Sequence, residues 1–89
     1  MIKDNQLIAL FNAPTRVLKA ERLLRKDGFT CRLIPAPREV AEGCALALRF
    51  SVSDQTVILA ELARHDLSPR RMYRKQDGGF LAVPVEEQA

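Results

Sequence analysis

The sequence has few residues of the types that build most metal and hydrolytic sites, with two cysteines, one histidine and four glycines among 89 residues. His65 is distant from both cysteines, so the three residues match no spacing typical of metal ligands. It also has no evident serine or cysteine partner for hydrolytic chemistry. The only adjacent glycines follow Asp77 and indicate a turn rather than a phosphate-binding loop. We therefore expect no metal or other cofactor, and we expect His65 on the surface.

Long hydrophobic runs are also lacking. The segment "MIKDNQLIALF" contains one apolar run of about five residues, which is too short for a secretory signal or a membrane span. We therefore expect a cytoplasmic microbial protein with no membrane association. Thiols stay reduced in the cytoplasm, so Cys31 and Cys44 are not expected to form a structural disulfide.

Charge and aromatic content argue against a nucleic-acid partner. The net charge of +3 is mild, although "RRMYRK" at 70–75 concentrates basic residues. RNA-binding sheets usually stack bases on aromatic side chains, and only Tyr73 occupies a plausible position. Basic residues on an exposed strand also protect that strand from aggregation, and this interpretation is the simpler one.

The order of elements predicts one ferredoxin-like α+β domain over 1–89, with two helices on one face of an antiparallel sheet. A helix is predicted from Pro14 to Asp27 and ends at Gly28; a second helix is opened by a capping box from Ser51 to Asp54. "DGG" predicts a hairpin into an extra edge strand that contains Pro84, followed by a frayed tail, so that 76–89 form a C-terminal hairpin and tail. The predicted strands are 7–11, 29–34, 44–50, 70–74 and 80–85.

Alternation along the strands predicts which face each residue occupies. The face toward the helices receives Phe29, Cys31 and Leu33 from one strand, and Leu46, Leu48 and Phe50 from the next. The opposite face is predicted to be mixed and basic rather than core-like; its residues include Thr30, Arg32, Ala45, Ala47 and Arg49. In a hairpin centred near residue 39, Cys31 would lie opposite position 47 and Cys44 opposite Ile34. This offset of three residues, about 10 Å along the strand, is beyond the reach of a disulfide.

The segment "PAPREVAEG" at 35–43 is longer than the two to five residues usual for a hairpin loop. Its prolines stiffen the chain, Gly43 removes bulk beside Cys44, and Arg38 could lower the pKa of a nearby thiol by stabilising the thiolate. Two points favour a buried Cys44 instead. Alternation places it on the core side, and a helical turn in "REVAE" would set it at a C-terminus that disfavours an anion. An accessible thiol and a small core side chain both remain open from these residues alone, whereas Cys31 is predicted to fill the core.

"IPAPREVAEGCALALRF", preceded by "VLKAERLLRKDGF" and followed by a capped helix and a Tyr-Arg strand, resembles the selenium/sulfur carrier-like proteins. The resemblance covers about residues 7–75. It implies that Cys44 carries sulfur or selenium as a persulfide or perselenide, with Arg38 and Glu39 in the matching loop motif. It further implies a carrier rather than a true enzyme, with donor and acceptor proteins as partners. The family commonly has glycine after the cysteine, where this chain has Ala45.

An alternative function requires no reactive thiol. Ferredoxin-like domains also serve as non-catalytic protein-binding or regulatory modules, and an exposed edge strand can pair with a second copy to form a homodimer. In that case the cysteines would be structural. Retention of partner binding after replacement of both thiols would distinguish this function from that of a carrier.

Overall fold

The computed structural model describes residues 5–40 and 46–85, in which two α-helices pack on a sheet of five antiparallel strands. The α+β class predicted from the sequence is confirmed. Neighbouring strands in the sheet follow the order β2-β3-β1-β4-β5, so β1 lies at the centre between β3 and β4. The elements are β1 Gln6–Leu10, α1 Pro14–Lys26, β2 Cys31–Pro35, β3 Leu46–Ser51, a 3₁₀ turn Val52–Asp54, α2 Gln55–Arg64, β4 Arg71–Gln76 and β5 Gly79–Val83.

Both helices end in the same way. Gly28 has φ +90°, and Phe29 N–H donates to the carbonyl oxygen of Leu24 over 2.9 Å, which satisfies a helix-terminal acceptor. The predicted end of α1 at Gly28 is therefore confirmed. At the end of α2, Leu67 N–H donates to Leu62 over 2.8 Å, and Asp66 takes the left-handed position with φ +58°. A non-glycine residue there carries a conformational cost.

The start of α2 differs from the predicted capping box. The Ser51 hydroxyl accepts from Ser53 N–H over 3.2 Å and caps the 3₁₀ turn, and α2 begins only after Asp54, at Gln55. The Ser51 and Ser53 hydroxyls lie 2.9 Å apart. The Ser51 cap thus lies at the start of a single 3₁₀ turn, and the α-helix follows it.

The main core lies between the sheet and the two helices. α1 contributes Val17, Ala20 and Leu24, and α2 contributes Ile58, Leu59 and Leu62. They pack with the sheet residues Leu7, Ala9, Cys31, Leu48, Phe50 and Met72. The core-facing residues predicted for the second and third strands along the chain are confirmed, since Phe29, Leu33 and Leu46 also contact this core.

The prediction for the opposite face is wrong at its centre. Ile8 and Ala47 are completely buried there, and Leu10 and Val40 are buried with them. β1 is apolar at every position from Leu7 to Leu10, so it fills the core on one face and a second cluster on the other. Basic residues still occupy part of that face, where Arg49 pairs with Ile8 on one side and with Arg32 of the edge strand on the other.

The β2–β3 register also differs from the predicted one. Cys31 pairs with Phe50, and Ile34 pairs with Ala47, so each residue of β2 pairs three positions further along β3 than predicted. The displacement leaves a longer connection between the strands. The predicted separation of the two cysteines stays a prediction, because Cys44 and its neighbours at 41–45 lie outside the described residues.

The predicted C-terminal hairpin is confirmed. Asp77 and Gly78 have φ +51° and +81°, the two positive values of a type I′ turn, and they connect the paired residues Gln76 and Gly79. β5 is the edge strand beside β4, and Pro84 directly follows its last residue. The tail predicted at 86–89 lies outside the described residues.

Candidate functional site

The segment that connects β2 to β3 begins with a turn that exposes two of the predicted site residues. Val40 N–H donates to the carbonyl oxygen of Pro37 over 3.1 Å and closes the turn. Arg38 and Glu39 occupy its two central positions, and both side chains are exposed to solvent. Cys44, the third predicted site residue, lies outside the described residues. Its distance from Arg38 therefore stays a prediction.

Val40 anchors this turn to the sheet. Its side chain is 6% exposed and packs in the cluster that contains Ile8, Leu10 and Ala47. Ile34, Ala36, Tyr73 and Phe80 border the same cluster. The burial of Val40 was not predicted from the sequence. The unbroken apolar run "LIALF" nevertheless indicated that both faces of β1 would be covered. One consequence is that the chain leading to Cys44 is held against the face of the sheet at residue 40.

Three connections meet at this end of the sheet. β1 ends at Leu10, β2 ends at Pro35, which pairs with Leu46, and β4 begins at Arg71, which pairs with Leu10. Arg70 N–H donates to the carbonyl oxygen of Leu10 over 2.7 Å and fixes the α2–β4 connection there. The 35–46 connection therefore shares one end of the molecule with the start of α1.

The electrostatics at this end favour an anion. The N-terminus of α1 carries a partial positive charge, and the exposed side chains of Arg38 and Arg70 add full charges, while the exposed carboxylate of Glu39 lies in the same turn as Arg38. Arg16, in the first turns of α1, donates to the backbone carbonyl oxygen of Asp66. A thiolate placed among these groups would be stabilised relative to the thiol, which lowers a thiol pKa.

Cys31 has the opposite environment. Its side chain is 7% exposed within the core, and Sγ lies 4.0 Å from the backbone carbonyl oxygen of Glu21. Burial raises the pKa of the Cys31 thiol, the negative charge of Glu21 raises it further, and Arg25 opposes the shift. The prediction that Cys31 fills the core is confirmed, and its thiol is poorly suited to nucleophilic chemistry near neutral pH.

The other candidate residues occupy ordinary surface positions. His65 is exposed, as predicted, and its Nε2 lies 3.3 Å from a carboxylate oxygen of Glu61 one helical turn earlier. Among residues 5–40 and 46–85, no three histidine, cysteine or acidic side chains are grouped closely enough to hold a metal ion. Neither helix in that part of the chain has the length and apolar character needed to cross a membrane.

Comparison with known proteins decides the family. The family model described as "Putative Se/S carrier protein-like" matches residues 6–74. The chain belongs to this family. The match runs from the first residue of β1 into β4, so it includes the entire connection that carries Arg38, Glu39 and Cys44, and it stops before β5.

One curated relative of this Se/S carrier-like protein is an uncharacterized protein from Methanocaldococcus jannaschii. The two sequences are 29% identical over 79 residues, which make up 89% of this chain and 39% of the archaeal protein. The chain thus spans about two fifths of the length of the curated relative that it matches. No solved structure matches the chain.

Proposed function

We propose that this protein carries sulfur or selenium as a persulfide or perselenide on Cys44 and passes it to a partner protein. The proposal rests on the burial of Cys31 together with membership of a family described as Se/S carrier-like. The sequence contains two cysteines, and a carrier thiol must meet the thiols of its partners. With Cys31 packed in the core beneath α1 and only 7% exposed, Cys44 is the cysteine to which we assign this role.

Chain length limits where Cys44 can act. It precedes Leu46 by two residues in the sequence, and two peptide units reach at most about 7 Å, so we infer that Cys44 acts at the end of the sheet where Leu46 lies. This is the end that carries Arg38, Arg70 and the N-terminus of α1. We infer that these positive groups favour the thiolate form of Cys44, with Arg38 the nearest in sequence. The exposed carboxylate of Glu39 is then available to contact a basic surface of a partner.

The transfer consists of two thiol exchange steps without net oxidation. In the first, the Cys44 thiolate attacks the outer sulfur of a donor persulfide, a new S–S bond forms, and the donor's inner sulfur leaves as a thiolate. In the second, an acceptor thiolate attacks the outer sulfur on Cys44, and Cys44 leaves as a thiolate. Selenium would follow the same course with selenium as the outer atom. No resident cofactor is required for either step.

We also propose a fold, a cellular location and partners for this protein. We infer a ferredoxin-like fold, which is supported by the position of β1 between β3 and β4 with α1 and α2 on one side. We place the protein in the cytoplasm, where thiols stay reduced and available for exchange. Its partners are a donor and an acceptor protein that dock at the 35–46 end. Homodimer formation through β5 would leave that end accessible.

The proposal is tested by incubation of the purified protein with a cysteine desulfurase and cysteine, followed by intact-mass spectrometry without reductant. We expect the wild-type protein and Cys31→Ala to gain the mass of one sulfur atom, and Cys44→Ser to gain none. The sulfur should be lost from the loaded protein on addition of a thiol. Loading of Cys44→Ser to the wild-type extent would contradict the proposal. A failure of every variant to load, with partner binding intact in Cys44→Ser, would instead favour a non-catalytic binding module.

A further inference from the structure

Helix α1 carries more positive charge than the protein as a whole. Its 13 residues include five basic side chains and one acidic side chain, a net charge of +4, whereas the entire chain has a net charge of +3. The rest of the chain therefore has a net charge of −1. Such an excess of one sign on a single element attracts partners of the opposite sign to that element.

Three of the five basic residues have a role within the fold. Arg16 donates to the backbone carbonyl oxygen of Asp66. Arg25 donates to the Glu21 carboxylate over 3.0 Å. Lys26 lies in the last turn of the helix, where the dipole favours a cation.

The other two basic residues, Lys19 and Arg22, have no such role. Both are exposed, and none of the ion pairs formed within the part of the chain that the structure describes includes them. Arg22 follows Lys19 by three residues and precedes Lys26 by four, and like charges at these spacings destabilise a helix. These cations therefore do not stabilise α1, and their charges are available to a partner.

Leu18 adds an apolar contact beside these cations. Its side chain is 41% exposed, and it precedes Arg22 by four residues, so the two are neighbours on the helix surface. An apolar contact with charged residues around it is the arrangement found at protein–protein interfaces. We call this surface the α1 docking face, which consists of Leu18, Lys19, Arg22 and Lys26.

The α1 docking face begins close to the candidate carrier site. α1 starts at the end of the molecule that carries the 35–46 connection, and Leu18 follows Pro14 by four residues, about 6 Å along the helix axis. β2 returns to the same end, from Cys31 beneath α1 to Pro35. A protein bound along α1 would therefore reach the end of the sheet where Cys44 is proposed to act.

We propose that the α1 docking face binds an acidic surface of the protein that exchanges sulfur or selenium with Cys44, an inference that rests on the proposed function. The charge of the face calls for acidic groups on the partner, and Leu18 calls for an apolar contact among them. A membrane fits less well, because the apolar side of α1 is buried in the core. RNA also fits less well, since α1 has no aromatic ring on which a base could stack.

The experiment compares protein and small-molecule exchange partners by intact-mass spectrometry. Loading of Cys44 is measured with a cysteine desulfurase and cysteine, and separately with glutathione persulfide. Unloading is measured with reduced thioredoxin and separately with dithiothreitol. We expect Arg22→Glu to slow exchange with at least one of the two proteins by at least about tenfold at low ionic strength, and to change both small-molecule rates by less than about twofold.

Arg32→Glu is the matched control. It makes the same change of charge at an exposed arginine of β2, on the sheet face away from α1, and should keep the wild-type rates. Sodium chloride from about 50 to about 500 mM should slow the wild-type exchange with the protein partner and have little effect on Arg22→Glu. Leu18→Ser should also slow this exchange, whereas Val57→Ser, at a 54% exposed position of α2, should not.

Stability separates docking from a structural role. A glutamate at position 22 meets Lys19, Arg25 and Lys26 at helical spacing, so Arg22→Glu should have a Tm equal to or above that of the wild type. The inference is overturned if Arg22→Glu and Arg32→Glu give equal rates with both proteins, if Arg22→Glu slows small and protein partners alike, or if its only effect is weaker binding of an oligonucleotide. Absence of wild-type loading from either donor would contradict the carrier function itself, and this docking role with it.

Discussion

The Sγ atom of Cys31 lies 4.0 Å from the backbone carbonyl oxygen of Glu21, in the layer where β2 packs against α1. The carboxylate of Glu21 is near enough to raise the pKa of the thiol, in the same direction as burial does. Cys31 is thus held in its neutral, unreactive form by the helix that covers it. The two cysteines of this chain are therefore expected to differ sharply in reactivity.

Alkylation of the native protein should distinguish them. With iodoacetamide near neutral pH, we expect Cys44 to react at least about tenfold faster than Cys31, because labelling of a buried thiol requires local opening of the structure. Peptide-resolved mass spectrometry on the wild-type chain measures both rates in one sample. In denaturant the two rates should converge, which serves as the control. Equal rates in the native protein would remove the chemical basis of the carrier proposal.

Cys31 should also make stability depend on alkaline pH. Its folded-state pKa is raised, so the folded protein retains the thiol proton at a pH where the unfolded chain has lost it. The stabilisation by the neutral thiol is complete below the unfolded pKa and is lost as pH rises through the folded pKa. Urea unfolding of the wild type and Cys31→Ala should show a wild-type advantage of roughly 1 kcal/mol near pH 7.

That advantage should shrink from about pH 8 to about pH 10, the range over which thiols ionise. The comparison isolates Cys31, since the other groups that titrate in this range are present in both proteins. An advantage that stays constant or grows with pH would show that the neutral thiol is not favoured by the fold.

Val40 is expected to stabilise both the fold and the site. Replacement by alanine removes two methyl groups from a buried position beside Ile8 and Ala47, and should lower the free energy of unfolding by roughly 1–2 kcal/mol. Val57→Ala is the matched control, because Val57 on α2 is 54% exposed and the same change there should cost less than about 0.5 kcal/mol. Urea midpoints measure both effects. Equal losses in the two variants would mean that Val40 does not anchor the connection.

The sequence predicted the order of the elements well because each carries a local signal. Pro14 and Gly28 mark the two ends of α1, and Asp77-Gly78 has the composition of a type I′ turn. The 3₁₀ turn after Ser51 was not predicted, because a serine cap marks where a helix begins without indicating whether its first turn is 3₁₀ or α. Local signals thus determined which elements form, and less reliably where each begins.

The β2–β3 register and the second apolar cluster depend on packing between distant residues. Nothing within 35–43 indicates that Val40 will contact Ile8 and Leu10 of the first strand, about thirty residues earlier in the sequence. The pairing of Arg32 with Arg49 was likewise not predicted, since the register assumed from the sequence set Cys31 opposite position 47 instead of Phe50. Arg38 and Glu39 were correctly expected on an accessible connection, because a polar Pro-rich segment has few means of burial.

Ala45, the residue after the proposed carrier cysteine, is expected to limit access to the Cys44 thiol. Where the family commonly has glycine, Ala45 adds a β-carbon beside Cys44, and this carbon would crowd a thiol that approaches the outer sulfur in line. Ala45→Gly should therefore accelerate sulfur transfer from the loaded protein, and Ala45→Val should slow it, each by a few fold. Stopped-flow transfer to a small thiol and to a thiol-bearing protein measures the rates. We expect the protein acceptor to be the more sensitive of the two, because it approaches along fewer directions than a small thiol does. Rates that do not change from glycine through alanine to valine would show that the side chain at position 45 does not limit access to Cys44.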